Sequence, residues 1–175
     1  KAFFEYRLDN DGKPVDNRHY FEGLKVSQNA EAMSMLGAYP VISLTLKDVI
    51  QFSFKEAIGA LANKVQLMVK LCDWAWKYSG VELDEEQHQM IKRIYGGTAS
   101  EKELANSIAL LSGILHDATN RNVIILIDEY DVPLQSAFLH GYYDEMRTFL
   151  RTMMSSALKT NPYLERGVIT GCLRV

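Results

Sequence analysis

The chain has 175 residues, 47% hydrophobic and 23% charged, which are the proportions of one globular domain long enough to bury a full core. A formal net charge of −3 excludes a global basic field drawing the chain to nucleic acid or anionic lipid, and leaves room only for a local basic groove. Two cysteines, Cys72 and Cys172, are too few for a disulfide framework, no apolar run reaches membrane-spanning length and no secretory pattern opens the chain, so a cytoplasmic protein with no membrane partner is expected.

Lys1-Ala2-Phe3-Phe4-Glu5-Tyr6 reads as the last turn of a helix already under way, and the chain closes on residues 168–175 in or just after a strand; both ends read as cut. Residues 9–14, Asp-Asn-Asp-Gly-Lys-Pro, are turn formers and predict an exposed loop. Tyr20 to Leu24 form a short apolar patch, after which Ser27 caps an expected helix through Leu36 that Gly37 stops. Pro40 opens a predicted strand over 41–46.

Phe54, Ile58, Leu61, Val65, Met68, Cys72 and Ala75 recur at steps of three and four, predicting one amphipathic helix from 54 to about 78. Trp74 and Trp76 lie on it as core and rim packing. A second helix runs from Asp84 to Tyr95, and Gly96-Gly97 breaks it. Ser100 with Glu103 forms a capping box ahead of Leu104, Ile108, Leu111 and Leu115. Beyond the next strand, Pro133 and Gly141-Tyr142-Tyr143 frame an expected loop, and Asp144 caps a helix whose methionines fill the core. Asn161-Pro162 stops that helix, and residues 167–170 are the last predicted strand. Strand, helices, strand, helix, strand is the alternation of an α/β fold with a mostly parallel sheet. His19, His88, His116 and His140 are scattered singly, without metal-ligand spacing.

The chain is organised around Val123-Ile124-Ile125-Leu126-Ile127-Asp128-Glu129-Tyr130-Asp131. Five branched apolar residues in a row read as a central strand buried on both faces. The acids begin where the apolar run stops, at the carboxyl end of that strand, where ligands of open α/β sheets bind. An aliphatic run closing in Asp-Glu is the Walker B pattern of nucleotide hydrolases. In it the Asp holds Mg²⁺, a small hard cation that takes carboxylate and water oxygens, and the Glu orients and deprotonates the attacking water. An acidic pair that caps the strand or the following turn is the alternative.

Taken together, Phe21-Glu22-Gly23-Leu24-Lys25, Tyr39-Pro40-Val41-Ile42-Ser43-Leu44, the segment from Leu126 to Leu134 that contains Asp-Glu-Tyr-Asp-Val-Pro-Leu, and Gly167-Val168-Ile169-Thr170-Gly171-Cys172-Leu173-Arg174 resemble the AAA-ATPase-like family of P-loop proteins. That family is mostly bacterial, and its longer members often carry a C-terminal restriction-nuclease-like domain. The resemblance covers nearly the whole chain. It implies a three-layer P-loop NTPase fold of the additional-strand type, with the visible strands side by side in chain order and the phosphate-loop strand next to the last. It further implies ATP and Mg²⁺ as cofactors. No Gly-x-x-x-x-Gly-Lys-[Ser/Thr] occurs in the 175 residues, so the phosphate loop is expected upstream and the chain holds half a site.

Carried over residue by residue, the resemblance implies that Asp128 coordinates Mg²⁺ and that Glu129 activates water for attack on the γ-phosphate. It makes Thr170 a polar sensor of the γ-phosphate or the water, Asp131 a residue that orients the loop of the cofactor site, and Arg174 a phosphate sensor or else a surface arginine. Ser43 and Thr45 lie on the strand expected to border Glu129, as restraints on it or as plain strand hydroxyls. The resulting expectation is a partial ATP-binding and ATP-hydrolysing domain, active in its complete parent. A nucleotide-gated signalling or scaffold module without significant turnover is the rival from another class. A metal-dependent nuclease on Asp128, Glu129 and Asp131 lacks a nearby Glu-x-Lys. ATP, a second copy of the chain and a C-terminal nuclease-like domain are the partners this reading admits; nucleic acid stays open.

Overall fold

A computed structural model describes residues 1–172 of the protein. Its centre is β2, Val123–Asp128, whose residues are buried on both faces until the chain reaches Asp128. A strand so apolar cannot face water, and helices cover it. On one side lies β1, Val41–Thr45, parallel and in continuous register from Val41 opposite Ile124 to Thr45 opposite Asp128. On the other lies β3, Leu164–Ile169, also parallel, with one irregularity between Val123 and Ile124. The sheet order is β1-β2-β3, the chain-order arrangement expected of these strands. Its outer strand β3 is exposed along most of its length, and Val168 and Ile169 are each 44% accessible.

Parallel neighbours need long crossovers. The connection from β1 to β2 begins with α2, Phe54–Leu71, capped by Ser53 and burying Ala57, Leu61, Val65, Met68 and Val69. The uninterrupted helix expected to residue 78 is instead broken at Cys72, where the backbone tightens to a Val69 carbonyl contact and a four-residue α3, Trp74–Lys77, follows. The change of direction leaves Leu71 exposed and carries Trp74 and Ala75 into the core, with Trp76 at its rim. Cys72 is buried, and burial pushes its thiol up to about 12.

α4, Glu85–Tyr95, and α5, Glu101–Thr119, both open on capping boxes, Asp84 with Gln87 and Ser100 with Glu103. The Arg93 guanidinium Nε donates to Glu103 Oε1 at 2.6 Å and pins the end of α4 to the start of α5. The Ser100 backbone N–H and then Arg93 hold the Glu103 carboxyl below its ordinary range. α5 carries the longest buried stripe, including Leu104, Ile108, Leu111 and Leu115, and packs on β1, β2 and α2.

Between β2 and β3 the expected loop is a helix, α6, Val132–His140. Pro133 occupies its second position, where a missing N–H is harmless, and Gly141 ends it at φ 80°. The two residues read as loop frames are a helix start and a helix stop. α7, Tyr143–Met154, follows; Tyr142 rather than Asp144 precedes it, and Asp144 sits in its first turn. Met146 and Met153 are fully buried among core side chains. A π-helical turn, Ser155–Lys159, leads into β3.

At the N-terminus, the Phe4 and Glu5 N–H groups donate to the Lys1 carbonyl, one helical turn, and Tyr6 then pairs with Tyr39. The helix expected from Ser27 to Leu36 shrinks to α1, Ala30–Ser34, capped by the Asn29 side chain; Ser27 lies in a preceding 3₁₀ turn and donates to the Leu24 carbonyl. No residue of these short helical turns is buried, so nothing rewards extending them. Among the described residues no helix is long and apolar enough to cross a membrane.

Candidate functional site

The carboxyl ends of β2 and β3 are joined by both main-chain and side-chain bonds. The Leu46 N–H donates to the Asp128 carbonyl at 2.9 Å, and the Thr170 N–H to the Ile127 carbonyl at 2.9 Å, so Asp128 leaves the sheet with its backbone held from both sides. Its carboxylate is exposed, and the Thr170 hydroxyl donates to Asp128 Oδ1. Two residues 42 apart in sequence are thus side chain to side chain at neighbouring strand ends.

Glu129 follows at φ 53°, in the left-handed region that a residue with a long side chain enters at a cost of about 1–2 kcal/mol. The turn it makes is closed by the Val132 N–H donating to the Glu129 carbonyl at 3.2 Å, and the chain reverses into α6. A non-glycine residue held there, at the mouth of a parallel sheet, points to function rather than to turn chemistry.

Asp131 is 1% exposed. Its Oδ2 accepts from Gln135 Nε2 at 2.7 Å and from the Cys172 backbone N–H at 3.1 Å. Gly171 lies flat against this carboxylate: a Cβ there would fall 2.6 Å from Asp131 Oδ1 and 2.8 Å from the Tyr130 ring. Gln135, Gly171 and the Cys172 amide are participants the sequence reading did not single out. The Asp131–Gln135 spacing of four on a helix start was the one available signal.

The structure thus brings Asp128, Glu129, Asp131 and Thr170 to one place. Thr45 sits opposite Asp128 on β1 and accepts from the Lys47 N–H at 3.3 Å, while Ser43 sits opposite Leu126, half-buried. Among the described residues neither hydroxyl bonds Glu129. Arg174 lies outside the described residues.

Among the described residues no group of three His, Cys, Asp or Glu side chains gathers to hold a metal. That rules against an all-protein cage built from them; a cation such as Mg²⁺ needs only one or two protein carboxylates and draws its remaining oxygens from water and phosphate. The exposed carboxylate of Asp128 could serve as one; the carboxylate of Asp131 is buried and engaged with Gln135 and Cys172.

The sequence model of a family described as predicted AAA-ATPases matches residues 2–175. No curated protein and no solved structure matches the chain. The family match takes in all three strands, the acidic turn and the threonine that meets it. On that coverage the chain belongs to the AAA-ATPase-like family.

Proposed function

We propose that the protein built on this chain binds ATP·Mg²⁺ and hydrolyses the β–γ phosphoanhydride bond at the carboxyl end of β2. One observation carries this reading: the Thr170 hydroxyl and the Asp128 carboxylate meet across adjacent parallel strands, beside a glutamate in left-handed backbone. Asp128 takes the Mg²⁺, which when bound neutralises charge on the phosphate oxygens. Glu129 accepts the proton of the attacking water. Thr170 has a single hydroxyl hydrogen, now on Asp128, and a γ-phosphate oxygen competes for it, which makes the residue a reader of the nucleotide's terminal phosphate. The wider fold in this reading is the three-layer P-loop arrangement, with a phosphate-loop strand beside β3 and its Gly-Lys-Thr type loop supplied by upstream sequence.

The two acids have separable jobs, tested in the protein that carries this chain with its upstream sequence. Glu129→Gln keeps size and most hydrogen bonding, so ATP binding is retained while turnover falls by roughly two or more powers of ten. Asp128→Asn weakens Mg²⁺ binding, and raising Mg²⁺ restores part of the rate. The readouts are ATP binding and steady-state hydrolysis across a Mg²⁺ titration. If Glu129→Gln hydrolyses at the parental rate, the water-activating assignment is wrong. If both variants change only the melting temperature, the acids are strand-end caps.

A second reading, a nucleotide-gated binding module, draws on an apolar surface at the far end of the helix that follows this turn. Phe138 and Leu139 on α6 are more than 70% exposed, as is Phe52 on the loop after β1, and the Ser136 hydroxyl ties α6 to that loop through both the N–H and the carbonyl of Gln51. Slow turnover with tight, nucleotide-dependent partner binding would favour it.

A further inference from the structure

We propose that Asp131 is a positioning residue: through Cys172 and the bare backbone of Gly171 it holds Thr170 against Asp128. This rests on the ATPase reading above. The ladder between β2 and β3 runs past the strand ends, with the Thr170 N–H on the Ile127 carbonyl at 2.9 Å and the Tyr130 N–H on the Thr170 carbonyl at 3.2 Å. Beyond it α6 begins, with the Gln135 N–H on the Asp131 carbonyl at 2.9 Å. The Asp131 side chain takes over, and its Oδ2 accepts from the Cys172 N–H.

Two features show that this carboxylate serves the neighbouring strand as well as Gln135 of its own helix. Asp131 stands at the N-cap of α6, where an aspartate ordinarily accepts from the first free N–H groups, yet its side chain makes no capping bond. Its 1% exposure also means that it gives up hydration, which acceptance from Gln135 and Cys172 helps to offset. Gly171 completes the fit. Any Cβ there meets Asp131 Oδ1 and the Tyr130 ring well inside contact distance, so the backbone on either side, Thr170 included, would be pushed off β2. Asp131 and Gly171 touch no reacting atom in this scheme; they set where the Thr170 hydroxyl stands.

The test uses the protein with its upstream sequence and the variants Asp131→Ala, Asp131→Asn and Gly171→Ala, assayed below their melting temperatures. Displacing a reacting-site group by about 1 Å costs up to roughly 100-fold in rate, so Asp131→Ala and Gly171→Ala lower kcat by about tenfold or more while the Kd for a non-hydrolysable ATP analogue with Mg²⁺ stays at the parental value. Asp131→Asn retains an oxygen for the Cys172 N–H and recovers most of the rate. Amide hydrogen exchange over residues 170–172 reads the contact without turnover, and is faster in Asp131→Ala. Parental kcat in Asp131→Ala overturns the proposal, as do analogue binding lost together with the rate, an Asn variant as poor as Ala, or unchanged exchange. Should Gly171→Ala fail to fold, the two Asp131 variants decide. An unsubstituted protein that hydrolyses no ATP removes the ATPase reading and this role with it, whereas unchanged exchange in an active protein removes this role alone.

Discussion

At Glu129 the backbone works against the side chain. Glycine at φ 53° carries no Cβ penalty, so Glu129→Gly should raise stability by about 1 kcal/mol once glycine's greater unfolded freedom is subtracted. Urea unfolding midpoints measure it; a variant no more stable than the parent would mean that side-chain contacts hold the turn. Asp128 and Glu129 could be found in the sequence because an aliphatic run that stops abruptly at acids has a fixed meaning in a parallel sheet. Thr170 could be placed beside them only through resemblance, since nothing local to residues 167–170 says which strand end they meet. The left-handed turn at Glu129 was not legible at all: glutamate is a poor guide to positive φ, and a sequence reading assigns such turns to glycine or asparagine. Nor was the need for Gly171, which arises from a tyrosine ring and a carboxylate some 40 residues away in sequence.

Among the elements, capping decided where reading succeeded. The box at Ser100–Glu103 starts α5 as read, because both partners lie within one turn, and α4 opens at the expected Asp84 on a second box, with Gln87, that the sequence reading did not include. The α6 helix was missed because Pro133 and Gly141 punctuate a helix as readily as a loop, and the nine apolar-rich residues of Val132–His140 leave no clear polar face. The break at Cys72 was missed because the three-and-four spacing continues across it. The α4–α5 joint carries a pH signature. Glu103 has a folded pKa below its ordinary 4.5, so its charged form contributes stability fully above that value and loses it as the pH falls through the lowered one. Glu103→Gln keeps the capping geometry and removes the charge. Its melting temperature should therefore lie below the parent's at neutral pH and converge with it in acid; a constant gap at all pH values would place the effect elsewhere. At the far side of the sheet, β3 pairs with no strand on its outer side among the described residues and shows Val168 and Ile169 to solvent. An open apolar edge recruits another chain, so the 175-residue chain should self-associate, and sedimentation showing a monomer at high concentration would count against it.

For the molecule as a whole, the alternation of strand and helix was enough to give a parallel sheet, whereas the chain order of its strands came from the family resemblance, since the same crossovers also build sheets in other orders. What it could not give is the irregular register at Val123–Ile124 or the thin N-terminal covering, where short turns take their shape from the surface beneath. The same whole-chain view sets an expectation for nucleotide binding. Carboxylates without a phosphate cradle offer an anion no net attraction, so the 175 residues alone should not bind ATP·Mg²⁺ tightly. Isothermal titration is the measurement, and micromolar affinity would show that some other part of the chain grips phosphate.

The rungs that join the ends of β2 and β3 differ in what heredity can reach. Those at Thr170 and Tyr130 are formed by main-chain groups, so substitutions that leave Gly171 intact keep their donors and acceptors in place. The one at Cys172 is accepted by a side chain and is written in the single codon of Asp131. It is therefore the rung through which descendants of this sequence can loosen or tighten the threonine without disturbing the sheet, and residues 131 and 171 should drift together where they drift at all.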